Sequence, residues 1–152
     1  MNKLIPEVLD MVEKAKTKNE KIDILRQYDS QPMRGLMRLN FDPDFNFDLP
    51  EGEPPYKKDT DRPIGYSESN LYTEVRRFYI WLQPQEGLTK LKKESLFIGL
   101  LEGIHHTEAE VLLLCKDKNL KKKYKTIKED LIRDAYPTLL PAKVEAPKAP
   151  LA

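Results

Sequence analysis

Cysteine and histidine are scarce in this chain, and their scarcity excludes several kinds of site. The sequence holds one cysteine, Cys115, and two histidines, the adjacent pair His105 and His106. A single cysteine cannot form a disulfide within the chain, which is compatible with a reducing compartment. One thiol and two imidazoles also provide too few ligands for a Cys–His metal site. The sequence therefore predicts neither a disulfide nor a zinc site.

Net charge and long apolar runs are also lacking. The chain has 26 basic and 25 acidic residues, for a net charge of +1, so no overall field attracts nucleic acid or an anionic membrane. No apolar run approaches the roughly 20 residues of a membrane span, and the first residues have no apolar core typical of a signal peptide. We expect a protein of the cytoplasm that does not bind membranes.

Apolar residues instead recur at three- and four-residue spacing, which predicts amphipathic helices. The first helix is predicted from Pro6 to about Lys16, and a capping box of Thr17 and Glu20 opens the second. Asp29 or Ser30 is the predicted cap of a third. No stretch alternates with period two, so no sheet is predicted.

More helices are predicted in the second half of the chain. Ser67 or Ser69 caps a helix over residues 71–83, which Pro84 and Gly87 end. Thr89 opens the helix that we expect to be the most buried, and Gly103 ends it. Two further capping boxes, at residues 107–110 and 126–129, open helices that end at Cys115 and Tyr136.

Proline is concentrated between these two groups of helices, in a segment that we call the arm (residues 41–66). Its five prolines exclude a regular helix. Three phenylalanines, Leu49 and Tyr56 argue against free disorder, so we expect the arm to pack over the helices and to present its exposed side to a partner. The predicted partner-binding residues are Phe45, Phe47, Asp48, Glu51, Glu53 and Tyr56.

The fold prediction is therefore all-α, with about six to seven short helices in one domain and the arm between the third and fourth. That domain spans residues 1–140, divided into N-terminal helices (1–40), the arm (41–66) and C-terminal helices (67–140). Residues 141–152 are predicted to form a flexible tail rich in proline and alanine.

Oxygen-bearing side chains in the arm are spaced as in a helix–loop–helix calcium site. They occupy the first, third, fifth, seventh and twelfth positions: Asp42, Asp44, Asn46, Asp48 and Glu53. The sixth position needs glycine for its positive φ but holds Phe47. Pro54 and Pro55 stand where the exiting helix should begin. We therefore predict solvated acids between buried aromatics, and no metal.

A lysine-rich stretch joins two of the C-terminal helices and predicts a second candidate site. Lysines with a nearby aromatic can contact phosphates and stack a base. The alternative is a solvated connection kept soluble by its charge. The candidate nucleic-acid-binding residues are Lys118, Lys121, Lys122, Lys123, Tyr124 and Lys125.

No pattern in the sequence supports catalysis or a bound cofactor. It has no phosphate loop, dinucleotide fingerprint or nucleophile elbow. Cys115 follows three leucines, so a buried and inert thiol is expected. His105 and His106 follow a helix-ending glycine, where a C-terminal dipole favours a positive charge. We predict a protein that is not an enzyme.

Six strings together resemble a family of small proteins of T-even-like tailed phages, including phages of cyanobacteria. They are Tyr28-Asp-Ser, Phe41-Asp-Pro, Leu49-Pro-Glu-Gly-Glu-Pro-Pro-Tyr-Lys, Leu71-Tyr-Thr-Glu-Val-Arg-Arg, Lys93-Glu-Ser-Leu-Phe-Ile-Gly-Leu-Leu-Glu and Cys115-Lys-Asp-Lys-Asn-Leu. The likeness spans residues 22–140 and carries no catalytic residues. It implies a phage product made in the host bacterial cytoplasm, with a role in takeover, replication or particle assembly.

Three functions follow as expectations. The first is an interaction protein whose arm binds a host or phage protein, with aromatic residues as anchors. The second is a nucleic-acid-associated factor that uses the lysine-rich stretch. The third is a minor component of the virion.

Overall fold

The computed structural model describes residues 3–82 and 87–141. Every regular element in these two ranges is a helix, and they contain no strand. The prediction of an all-α protein in one domain is confirmed. None of the helices in these ranges is both long and apolar enough to cross a membrane. The predicted tail lies, apart from Pro141, outside the described residues.

The first three helices form as predicted: α1 (Ile5–Lys14), α2 (Lys18–Gln27) and α3 (Gln31–Phe41). The Thr17 hydroxyl caps α2 by accepting from the Glu20 N–H at 3.2 Å. The Glu20 carboxylate accepts from Lys16 at 3.2 Å, so only half of the predicted capping box is closed. Ser30 caps α3 by accepting from the Met33 N–H.

The next helical segment is broken where the sequence predicts one helix. It consists of α4 (Leu71–Glu74), a 3-10 turn (Val75–Arg77) and α5 (Tyr79–Leu82). Its cap is Asn70, whose side chain accepts from the Thr73 N–H at 3.0 Å. The predicted cap Ser69 instead donates its hydroxyl to Glu74 at 2.8 Å. The predicted end of this helix at residues 83–84 lies outside the described residues.

The remaining helices are α6 (Lys90–Gly103), α7 (His106–Lys116) and α8 (Glu129–Ala135), with a 3-10 turn (Leu120–Lys122) after α7. Thr89 caps α6 as predicted. The other two predicted capping boxes are wrong. His105 caps α7, which leaves Thr107 inside the helix, and Thr126 lies outside α8, bound to Glu13 at 2.8 Å.

The core joins both halves of the chain, because α3 packs on α7 and α2 packs on α8. Most residues of α7 are buried, whereas Leu91 at the start of α6 is 79% exposed. The expectation that α6 would be the most buried helix is therefore wrong. The arm adds Phe47 to this core, with its ring centroid 5.3 Å from that of Phe78 and 5.5 Å from that of Trp81.

Candidate functional site

Residues 42–70, which include most of the arm, hold turns and bends but no helix or strand. Because these residues form no helix or strand, their buried backbone N–H and C=O groups need hydrogen-bond partners elsewhere in the protein. Side chains of α6 and α7 and of the residues next to α7 supply many of these partners. The arm therefore lies along this pair of helices and is fixed to it at intervals.

Five polar contacts attach the arm to this helix pair. The pairs are Lys93 Nζ with the Asp48 carboxylate (2.9 Å), Lys116 Nζ with the Pro50 carbonyl (2.8 Å), the Gly52 N–H with Asp117 (3.0 Å), the Lys57 N–H with Glu102 (2.7 Å), and His105 Nε2 with the Arg62 carbonyl (2.9 Å). Four of the five include a charged side chain, which strengthens a hydrogen bond. The arm is a positioned part of the fold.

Lys118 makes a further attachment at the start of the arm. Its ammonium donates to the carbonyl oxygens of Leu39 and Asp42, both at 2.6 Å, and of Phe45 at 3.1 Å. Its backbone has a positive φ of 56°, which is uncommon for a residue with a Cβ. Burial lowers the pKa of Lys118. This lysine therefore holds the arm and does not face solvent as a phosphate ligand would.

A groove of about 670 Å³ lies between the arm and the outer side of α7, which we call the arm groove. This volume is within the range of roughly 300–1,000 Å³ that is typical of binding sites. Its lining comes from the arm, from α7 and from the lysine-rich stretch. The lining residues are Gly52, Glu53, Tyr56, Lys58, Thr60, His106, Glu110, Leu113, Leu114, Asp117, Asn119, Lys122 and Lys123.

Charges of both signs line the arm groove around an apolar floor. Lys58 pairs with Glu53, and the hydrogen bond that its ammonium donates to that carboxylate raises the pKa of Lys58. Lys123 pairs with Glu110 at 3.2 Å. Lys122 is exposed and makes no ion pair with another residue of the described ranges. Such a surface can bind a chain that carries both apolar and charged groups.

The predicted arm residues separate into three groups. Glu53 and Tyr56 line the arm groove, and burial raises the pKa of Tyr56. Asp48 and Glu51 are exposed outside it. The two phenylalanines form the third group and face the protein itself.

Neither phenylalanine lines the arm groove. Phe47 is 7% exposed and belongs to the core, so its prediction as a partner contact is corrected. Phe45 is partly buried, with the Arg38 guanidinium 4.2 Å from its ring centroid. Both residues therefore fix the arm on the helices, as expected for a packed arm.

The residues predicted to bind nucleic acid also lie in different places in the structure. Lys122 and Lys123 line the arm groove, while Lys121 and Lys125 are exposed beyond it. Tyr124 is 1% exposed, so its ring has no free face for stacking, and that part of the prediction is corrected. With Lys118 holding the arm, four of the five lysines remain on the surface.

Sequence reasoning missed a buried polar cluster at the N-terminus of α7. Glu108 is fully buried and accepts from the Leu71 N–H at 2.9 Å, and burial raises its pKa to about 7. Its second oxygen has no partner among the described residues. The only sequence signal was the capping box predicted at residues 107–110, displaced from the helix start at His106.

The ring of His105 is held as a neutral imidazole. Nε2 donates to the Arg62 carbonyl, so Nδ1 is the nitrogen that accepts from the Thr107 N–H at 3.3 Å. Burial lowers the pKa of His105. The residue caps the N-terminal, positive end of α7, so the expectation of a C-terminal dipole that favours a charged histidine is wrong for it.

Three of the acids with calcium-like spacing pair with basic side chains: Asp42 with Arg38, Asp48 with Lys93 and Glu53 with Lys58. The Asp42 carboxylate accepts from the Asp44 N–H at 3.0 Å and from Arg38 at 3.3 Å. No group of three or more His, Cys, Asp or Glu side chains within residues 3–82 and 87–141 is placed to hold a metal ion. Cys115 is fully buried, and burial raises the pKa of its thiol.

Comparison with known proteins gives a family without a known activity. No curated protein matches the chain. The match to a family covers residues 8–122, a range that contains every residue lining the arm groove except Lys123. Over this range the chain belongs to the family of unknown function DUF6433.

Proposed function

We propose that this protein is a non-enzymatic interaction protein that binds a host or phage protein in the arm groove. The observation that carries the proposal is the convergence of two predicted sites. Glu53 and Tyr56 of the arm and Lys122 and Lys123 of the lysine-rich stretch line the same cavity. Residues far apart in sequence thus form one concave surface.

The chemistry of the arm groove indicates the kind of partner. Leu113, Leu114 and Tyr56 offer apolar surface, and the lysines and acids around them offer hydrogen bonds of both kinds. A protein segment with one apolar anchor and flanking charges of both signs is complementary to this lining. Four buried groups have strongly raised pKa values, namely Glu108, Cys115, Tyr124 and Tyr136, and none of them lines the groove.

The binding experiment uses a groove variant and a matched surface variant. Partners are captured from phage-infected bacteria with three tagged proteins: wild type, Leu114→Lys and Leu91→Lys. Each captured protein is then purified, and its affinity for the three proteins is measured by calorimetry. Leu114 lines the arm groove, whereas Leu91 is exposed elsewhere, on α6. We expect Leu114→Lys to weaken binding at least tenfold and Leu91→Lys to leave it unchanged. Equal affinity of all three proteins would refute the groove as the site.

A second candidate function is contact with nucleic acid through the surface lysines. Lys121, Lys122 and Lys125 are exposed and make no ion pair with another described residue. Binding of an oligonucleotide through several lysines should weaken steeply as salt is added. Lys121→Glu, Lys122→Glu and Lys123→Glu together should abolish it. Unchanged affinity in this triple variant would eliminate the nucleic-acid function.

The proposed setting of either function is a phage infection. The resemblance of residues 22–140 to proteins of T-even-like phages supports a phage-encoded product in the host bacterial cytoplasm, acting in takeover, replication or assembly. A minor virion component is the alternative. Purified particles distinguish the two, because only a virion component sediments with particles after washing in high salt.

A further inference from the structure

Two large apolar side chains are exposed on one turn of the arm. Ile64 is 50% exposed and Tyr66 is 77% exposed. They belong to a turn that we call the tip (residues 63–66). Exposed aromatic and aliphatic residues at the end of a loop are typical of anchors that enter a pocket of a partner.

Hydrogen bonds hold the tip in a defined turn. The Tyr66 N–H donates to the Pro63 carbonyl at 3.2 Å. Gly65 has φ of +95°, as the third residue of a type II turn requires. On either side, the Arg62 carbonyl accepts from His105 and the Ser69 N–H donates to the Gly103 carbonyl at 2.8 Å. A loop fixed in this way loses little entropy on binding.

The residues nearest to the tip in the sequence include more acids than bases. Residues 59–68 contain three acids and one arginine. Arg62 pairs with Asp59 at 3.3 Å, while Asp61 and Glu68 make no ion pair with another residue in the described part of the chain. The tip therefore presents apolar side chains with negative charge beside them.

A second groove on the same protein is lined by basic residues instead of acidic ones. It has a volume of about 380 Å³, and we call it the arginine groove. Its lining residues are Gln31, Arg34, Gly35, Arg38, Phe45, Val75, Arg76, Phe78, Tyr79, Leu82 and Leu139. The described lining contains three arginines, an apolar floor and no acid.

The three arginines differ in how much of their charge is already paired. Arg34 holds Asp29 with two contacts of 2.7 Å, and Arg38 contacts Asp42 at 3.3 Å. Arg76 is exposed and makes no ion pair within the described ranges. Arg76 is thus the positive group best placed to receive a carboxylate from outside.

We propose that the tip of one copy of this chain docks in the arginine groove of a second copy. Ile64 and Tyr66 would lie on the apolar floor, and Asp61 and Glu68 would face the arginines. None of the tip residues lines the arginine groove of its own chain. Charge complementarity across such a contact speeds association and selects the partner.

The contact joins two different surfaces, so it is heterologous and acts head to tail. A pair therefore keeps a free groove on the copy whose tip is docked and a free tip on the copy whose groove is filled. Such contacts build rings or open chains when every copy carries both surfaces. Self-association of this kind requires only the purified chain, so it can be measured separately from partner binding in the arm groove.

The test uses one variant for each surface. Ile64→Ser with Tyr66→Ser removes the tip anchors, and Arg76→Glu with Tyr79→Ser alters the arginine groove. Leu91→Ser is the matched control, because Leu91 is 79% exposed and lies in neither surface. Thermal unfolding first establishes that each protein is folded, and sedimentation velocity then measures its mass from micromolar to millimolar concentration.

The expected pattern is specific to a head-to-tail contact. Wild type and Leu91→Ser gain mass with concentration, and each double variant alone stays a monomer. An equal mixture of the two double variants forms a dimer and nothing larger, because one intact tip meets one intact groove. A wild type that stays monomeric throughout, or two variants that associate as well as wild type does, would overturn the proposal.

Discussion

The ammonium of Lys118 lies 2.6 Å from the carbonyl oxygen of Asp42, at the point where the chain leaves α3 and enters the arm. Lys118 belongs to the lysine-rich stretch, and Asp42 belongs to the segment with calcium-like spacing. In the sequence these two patterns suggest separate functions, but in the structure a hydrogen bond from Lys118 to Asp42 joins them. One of their shared tasks is to hold the arm in place, and the arm groove is formed as a result.

Replacing Lys118 should therefore destabilise the fold more than replacing the nearby exposed Lys121. Lys118→Met leaves three carbonyls without this donor, and an unsatisfied buried group costs about 1–3 kcal/mol. Because water can reach part of the site, we expect a total loss of roughly 2–3 kcal/mol in urea unfolding. Lys121→Met, at an exposed position, should change the free energy of unfolding by less than about 0.5 kcal/mol. Equal losses would contradict the assigned role of Lys118.

Phe47 should be the most sensitive position of the arm. Its ring packs against those of Phe78, Trp81 and Phe97, and truncation of a buried phenylalanine costs about 3–5 kcal/mol. Phe45→Ala should cost less, because Phe45 is only partly buried. Tyr66→Ala, at the exposed tip, serves as the control and should be nearly neutral. Thermal melting of the three variants checks this order, and an unchanged melting temperature for Phe47→Ala would mean that the arm is unpacked.

Glu108 should make stability fall as the pH rises. Its pKa is raised from 4.5 to about 7 in the folded chain, so the folded state binds the proton more tightly than the unfolded state. The free energy of unfolding therefore begins to fall near pH 4.5 and stops falling above about pH 7. The total decrease is roughly 3 kcal/mol at most. Glu108→Gln keeps an acceptor for the Leu71 N–H and should remove this trend.

The comparison of wild type with Glu108→Gln must allow for His105. Burial lowers the pKa of that imidazole from 6.5, so its contribution to stability is lost as the pH falls below that value. This trend is opposite to that of Glu108 and should persist in the variant. Unfolding free energies measured from pH 5 to pH 8 (about the range in which both groups titrate) separate them. A wild type and a variant with parallel pH profiles would contradict the assignment to Glu108.

Local sequence signals predicted those helix starts at which a hydroxyl caps its own helix. Thr17, Ser30 and Thr89 are such cases, and each accepts from the N–H three residues later. One of the failed signals has a distant cause. Thr126 has the sequence of a cap, but it is bound to Glu13, more than a hundred residues away.

Only part of the candidate site could be predicted from the sequence, because contacts between distant residues decide the rest. The composition of the arm indicated a packed aromatic segment, and Phe47 is buried accordingly. Nothing local shows that Lys116 and Lys118 turn inward to backbone carbonyls while Lys121 and Lys122 face water. That choice depends on where the arm passes, which is set by contacts between distant parts of the chain.

Amide hydrogen exchange along the arm tests most directly whether the arm is fixed on α6 and α7. Five N–H groups between α3 and the start of α4 donate to partners across the fold: those of Asp48, Gly52, Lys57, Ser69 and Leu71. We predict that these amides exchange roughly tenfold or more slowly than in an unfolded chain. Those of Glu51, Glu53 and Lys58, which have no such partner among the described residues, should exchange freely. Uniformly fast exchange over residues 48–71 would contradict the account and remove the wall of the arm groove.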